Sequence, residues 1–253
     1  MDLIFVIILG GLWGSFANVC IHRLPIGKGV VSGRSFCPNC KKLITWKDNI
    51  PIISFLFLNG KCRSCKKKIS SQYLIVELIS ITYFLWIYFL FGISLTTLLF
   101  LILGLSFIII FFIDLKHYII PNVLTFSLMI IGFIKSFDPN LNPIFPNYIN
   151  SLIGGIFGYL VIWSIIYFYK QIRKKEGMGL GDAKLLSAIG FWFGWISIPF
   201  VIFLSSIIAL LSVVPSLLKN SKSMSSQIPF GPYIIIGTLV YLFFENSLKS
   251  LLF

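Results

Sequence analysis

Acidic side chains are the scarcest chemistry in this sequence. Its 253 residues hold eight Asp and Glu against 21 Lys and Arg, and charged residues of both signs make up only 11%. A soluble domain carries roughly a quarter, so a water-soluble core is excluded. Histidine is scarcer still. His22 and His117 are the only two, and no His-Glu-x-x-His occurs, which leaves a catalytic zinc site without its usual donors. Gly-x-Ser-x-Gly is also missing, so a serine nucleophile elbow has no signature here. The amino terminus opens on Asp2 and carries its positive charges after the first apolar run, the reverse of a cleaved signal peptide, so the first helix is expected to be retained. Neither internal repeats nor low-complexity tracts are evident.

What is abundant is hydrocarbon. Hydrophobic residues are 57% of the chain and mean hydropathy is +0.95. Uncharged runs extend from Leu78 to Ile113 and from Leu185 to Leu218, 36 and 34 residues long. A membrane crossing needs about 20 helical residues, so each run holds two spans. The expected fold is an all-α polytopic membrane protein of about eight transmembrane helices, near 3–21, 73–91, 95–113, 121–134, 147–169, 183–197, 199–217 and 232–250. Paired spans should break at "FGIS" (91–94) and "WISIP" (195–199), where Gly and Pro weaken a helix.

The net charge of +13 invites nucleic acid as a partner, but its placement answers otherwise. With the amino terminus outside, the loops at 22–72, 114–120, 170–184 and 215–231 share one side and hold 19 of the 21 Lys and Arg. The positive-inside rule puts that side in the cytoplasm. The basic clusters then set topology and meet anionic membrane lipids, and no nucleic-acid partner is expected.

Residues 22–72 form the only loop large enough to fold by itself. It carries "CPNC" (37–40) and "CRSC" (62–65), a spacing that suits four thiolates around one tetrahedral zinc. About fifty residues bury too little to be stable alone, so a metal staple has a physical task. Two redox-active or merely free cysteine pairs are the alternative. Four cysteines close the coordination sphere, so zinc held by Cys37, Cys40, Cys62 and Cys65 would be structural. The expected division is a first helix at 1–21, a cytoplasmic zinc-binding domain at 22–72 and a membrane-embedded domain at 73–253.

Two of the few carboxylates stand at span ends on one side. Asp114 closes the third span in "IIIFFIDLKHYIIPN" and Asp182 opens the sixth in "GMGLGDAK". Singly, Asp114 marks a helix meeting water and Asp182 an N-cap. As a pair sharing one proton they can act as base and acid on a water, the arrangement of aspartic proteases. Gly177, Gly179 and Gly181 would let a peptide backbone come close. Glu77 lies about one turn inside the second span, where a structural hydrogen bond or ion pair is its expected use. A proton-coupled transporter using Asp114, Asp182 and Glu77, or a non-catalytic assembly scaffold built on the zinc loop, are the alternatives.

The motifs in order resemble the bacterial type IV prepilin peptidases, a Gly-x-Gly-Asp intramembrane aspartyl protease family. The resemblance rests on "GSFANVCIHRLP" (14–25), the two Cys-x-x-Cys pairs, "YLIVEL" (73–78), "DLKHYIIPN" (114–122), "GMGLGDAK" (177–184) and "IPFGPY" (228–233). It implies an inner-membrane endopeptidase that removes the basic leader of prepilins or pseudopilins and then N-methylates the new amino terminus from S-adenosylmethionine. By position it makes Asp114 and Asp182 the catalytic pair, with Gly179 and Gly181 shaping the loop and Lys184 tuning the second aspartate. S-adenosylmethionine enters through the resemblance only, with no binding residue attached to it.

Overall fold

The computed structural model describes residues 2–30, 35–141, 144–174, 179–218 and 228–252. Among these the regular structure is helical: α1 (Asp2–Arg23), the short α2 (Ile53–Phe57), α3 (Gln72–Phe91), α4 (Leu95–His117), α5 (Asn122–Lys135), α6 (Tyr148–Arg173), α7 (Leu180–Phe193), α8 (Ser197–Leu218) and α9 (Gly231–Leu252). Eight of these stand where the eight apolar spans were expected. Five, namely α1 with its 3-10 extension to Ile26, α3, α4, α6 and α8, are long and apolar enough to cross a membrane. Asn122–Lys135 is apolar but shorter, and α9 is apolar over Gly231–Phe244. The chain is an integral membrane protein built on these apolar helices.

Two compact units divide it, 1–109 and 110–253. In the first, α1 and α3 pack antiparallel through a strip of small residues. A Cβ built on Gly10 would lie 2.9 Å from the Ile81 Cα, and one on Gly14 would lie 2.8 Å from the Glu77 Cα. Small residues on a helix face are what allow membrane helices this approach. The Asn18 amide donates to the Tyr73 carbonyl at 3.0 Å and joins the end of α1 to the start of α3. Gly92, at φ +61, ends α3, so "FGIS" breaks the helix as expected.

In the second unit α7 is the inner helix, packed by α5, α6, α8 and α9. Its Ala183, Leu185, Leu186, Ile189 and Trp192 are almost wholly buried. A helix apolar on every side belongs inside, so its 14 residues, about 21 Å of rise, are enclosed by protein. Gly154 and Gly158 of α6 meet Gly190 and Leu186 of α7 backbone to backbone. The break between α7 and α8 falls at Gly194, φ +79, and differs from the expected "WISIP". Pro199 lies in the first turn of α8, where a missing N–H costs nothing. Lys135, one residue past the expected span 121–134, is buried at the end of α5. Its amine donates to the Trp192 carbonyl at 3.1 Å and sits 3.8 Å from the Phe145 ring centre.

Candidate active site and metal centre

Asp114 occupies the last turn of α4 and is buried. The helix ends just after it because Tyr118 adopts φ +56, its N–H returning to the Asp114 carbonyl at 3.0 Å. A left-handed residue at this place closes a helix, though glycine is the usual occupant. The Asp114 carboxylate accepts a hydrogen bond from the Gly231 N–H at 3.0 Å. That donor is left over at the start of a helix. Gly231 opens α9, Pro232 has no N–H, and the Tyr233 N–H already bonds the Phe230 carbonyl. The first N–H groups of a helix lack partners within it, so α9 offers this one to Asp114. A Cβ on Gly231 would lie 2.7 Å from Asp114 Oδ2, so any other residue here must displace the carboxylate.

Asp182 stands in the first turn of α7, also buried. It is not the N-cap residue: Gly179 is, and the Asp182 carboxylate reaches back to the Gly179 N–H. Acidic groups suit the positive end of a helix, and both aspartates stand against one. The two carboxylates are close enough for the Asp114 charge to act on Asp182. Ile120 lies between their supports, since a Cβ on Gly181 would come within 3.0 Å of the Ile120 Cβ and one on Gly231 within 3.1 Å of its Cδ1. Gly177, the first of the three loop glycines, lies outside the described residues.

Lys184, expected to tune Asp182, sends its amine to Asn122 Oδ1 at 2.8 Å and over the Phe126 ring at 5.5 Å. Glu77 accepts the Ile52 N–H at 2.7 Å, the structural hydrogen bond expected of it.

The four cysteines of the first unit converge. Cys37 and Cys65 sulfurs are 3.9 Å apart, Cys40 and Cys62 4.0 Å, and all four lie within 4.8 Å of one another. Zinc–sulfur bonds of about 2.3 Å at tetrahedral angles require sulfurs about 3.8 Å apart, so the donor set fits one zinc. The two knuckles repeat a single design. Lys41 and Lys66 take φ +60 and +57, and their N–H groups return to the Cys37 and Cys62 carbonyls at 2.9 Å. N–H groups of Cys65 and Ser64 hold the Cys62 thiol down to about 6. Against the pull of the Lys67 N–H, burial and the neighbouring thiols push Cys65 up to about 11. Four sulfurs this close cannot all ionise without a cation among them. Arg63 clasps Asp48 beside the cluster, with its Nη2 at 2.6 Å and its Nε at 2.9 Å from Oδ1.

Comparison with known proteins places this geometry. The family model for the bacterial peptidase A24 N-terminal domain matches residues 8–91, and that for the type IV leader peptidase family matches 99–214. A prepilin leader peptidase/N-methyltransferase of Aeromonas hydrophila is 36% identical over 259 residues, covering 93% of this chain and 88% of the relative. One of the same name from Pseudomonas aeruginosa is 35% identical over 266 residues, covering 96% and 90%. Another from Klebsiella pneumoniae is 36% identical over 208 residues, covering 80% and 90%. The chain belongs to the type IV leader peptidase family. No solved structure matches it.

Both aspartates fall within the leader-peptidase match, and the four cysteines and Glu77 within the amino-terminal one. Gly231 lies beyond the leader-peptidase match, and the sequence reading held it only within "IPFGPY" (228–233), with no role of its own. A glycine placed before a proline at a helix start was the available signal, because it leaves one unpartnered N–H. Ile120 and Asn122 entered only as part of "DLKHYIIPN" (114–122) and by themselves gave no sign of a role, since an apolar residue and an amide beside a proline are common loop composition. Among the described residues there is no strand, so the strand–turn–helix cradle that holds nucleotide-like cofactors is absent there. No residue of this chain is assigned to S-adenosylmethionine.

Proposed function

We propose that the chain is a membrane aspartyl endopeptidase that removes the leader of type IV prepilin-like precursors, with Asp114 and Asp182 as its catalytic pair. The observation that carries the reading is the pair itself: two buried carboxylates within reach of each other's charge, each anchored at the start of a helix. The relatives' shared name supplies the substrate class.

One carboxyl holds the pair's proton and the other is ionised. The ionised oxygen takes a proton from a water as that water attacks the scissile carbonyl carbon, and the protonated partner gives its proton to the carbonyl oxygen. The tetrahedral intermediate then collapses. The C–N bond breaks, the leaving nitrogen takes a proton from the first aspartate, and the second recovers one from the intermediate's hydroxyl. The shared-proton state is restored. Gly179 and Gly181 keep side chains away from the path of an extended peptide, and Lys184 acts on the site through Asn122 at the start of α5.

Within the proposed domain division, residues 22–72 bind structural zinc through Cys37, Cys40, Cys62 and Cys65. The zinc orders that segment and takes no part in hydrolysis. The amino terminus lies outside, and the catalytic pair and zinc segment face the cytoplasm of a bacterial inner membrane, with the basic leader held near anionic lipid. N-methylation of the product, drawn from the same relatives, uses S-adenosylmethionine. Transport and scaffolding gain no support from family membership.

The protein in membranes, given a synthetic prepilin, is expected to release the leader as a separate peptide in a mass spectrum. A further ~14 Da, one methylene, on the mature product when S-adenosylmethionine is added reports methylation. No cleavage of several prepilins and pseudopilins by folded wild type would sink the peptidase reading. Cleavage without the added mass would sink the methylation alone.

A further inference from the structure

Residues 49–60, between the two cysteine knuckles, read "NIPIISFLFLNG" and carry no charge, in a segment otherwise dense with lysine. They do not stand clear of α1 and α3. A Cβ on Gly11 would lie 3.2 Å from the Pro51 Cβ and 3.5 Å from the Ile81 Cδ1. Gly11 is twelve residues before the end of α1, which is about 18 Å along the helix. The hydrocarbon layer is about 30 Å thick in all, so Pro51 reaches the middle depth of α1.

The backbone there is equipped for that depth. N–H groups of Ile53, Ser54, Leu56, Leu58 and Gly60 all find carbonyls within residues 50–55. Ile52 does not, and it holds φ +61 and ψ −54, a strained conformation for a β-branched residue. Its N–H is taken by Glu77 from α3. Backbone at membrane depth must have every polar group satisfied by protein, and a carboxylate inside a span acquires a reason. Meanwhile α2 turns Ile53, Leu56 and Phe57 outward, 51%, 60% and 84% exposed, at the i, i+3, i+4 spacing of one helix face. Phe55 turns the other way and covers Gly60.

We propose that Ile50–Phe57 is a re-entrant segment whose Ile53, Leu56 and Phe57 face contacts the acyl chains of the leaflet at the Arg23 end of α1, with Glu77 as its acceptor inside the membrane. Lipid is the occupant because the segment lies along membrane helices and its flanks are cationic. Lys47 and Lys61 border it, and Lys41, Lys42 and Lys66–Lys68 stand at the knuckles, where acidic headgroups would neutralise them. The cysteine cluster then clamps the base of the dip, one knuckle on each side. This inference holds whether or not the chain is a peptidase.

The test uses the full chain, zinc-loaded, in nanodiscs of acidic phospholipid. A fluorescent amino acid is placed at position 57 or, as reference, at position 67. Quenching is read with nitroxides at the mid-acyl chain or the headgroup and with iodide in the water. At 57 the mid-chain nitroxide should quench more than the headgroup one, with iodide excluded; at 67 the order should reverse. Iodide quenching at 57 equal to that at 67 would overturn the proposal. So would mid-chain quenching that a saturating synthetic prepilin abolishes, since the face would then belong to a protein. Glu77→Gln keeps an acceptor and should leave 57 shielded, whereas Glu77→Leu should open it to iodide. Shielding unchanged in Glu77→Leu would remove Glu77 from the account.

Discussion

At the residue scale, a few polar contacts decide where the rare acids stand. Asp114 and Asp182 were legible in the sequence because ionisable groups at the edges of apolar runs are costly without a use. Gly231 was not, because its value lies in an N–H and an absent Cβ, neither of which composition reports. Gly231→Ala would set a methyl against Asp114 Oδ2, 2.7 Å away, and turn the carboxylate. A displacement near 1 Å at a reacting group costs up to about 10²-fold in rate. Gly231→Ala should therefore lose cleavage by about that factor, with an unchanged melting temperature, both measured on the same purified sample. The Arg63 guanidinium beside Asp48 holds that carboxyl below the ordinary carboxylate range. A lowered folded-state pKa stabilises above the unfolded value and is lost as pH falls through the folded one. Asp48→Asn should thus be less stable than wild type at neutral pH, and the gap should close on acidification below pH ~4, as followed by proteolysis of the zinc segment.

At the element scale, hydropathy located eight helices because long apolar runs have no other stable form in lipid. Burial in protein gives a helix the same apolar reading as lipid does. Enclosed by α5, α6, α8 and α9, α7 reads as apolar as a span while needing only about 21 Å. Helix ends were harder: Gly194, free to take φ +79, stops α7 before Pro199 can act. The α6–α7 seam was invisible because Gly154 and Gly190 matter only through what touches them. Gly154→Leu would drive a side chain into the Gly190 carbonyl, and overpacking of this kind costs about 1–3 kcal/mol. The variant should melt several degrees lower in detergent, with its expression in membranes reduced.

For the whole molecule, the paired Cys-x-x-Cys spacing announced the four-cysteine cluster because tetrahedral thiolate geometry leaves little freedom between knuckles. The re-entrant stretch was hidden, since an apolar run shorter than a span reads equally as loop core. One zinc per chain should be found by elemental analysis, and Cys62→Ser or chelation should expose residues 35–71 to protease. In the proposed mechanism the activity of the whole rests on two carboxylates, and their direct test is leader cleavage by wild type, Asp114→Asn and Asp182→Asn inserted in membranes at equal levels. Each substitution keeps the shape and removes the acid. Cleavage by wild type alone, with both variants folded and silent, is the expected result; a variant that still cleaves at the wild-type rate would contradict the dyad.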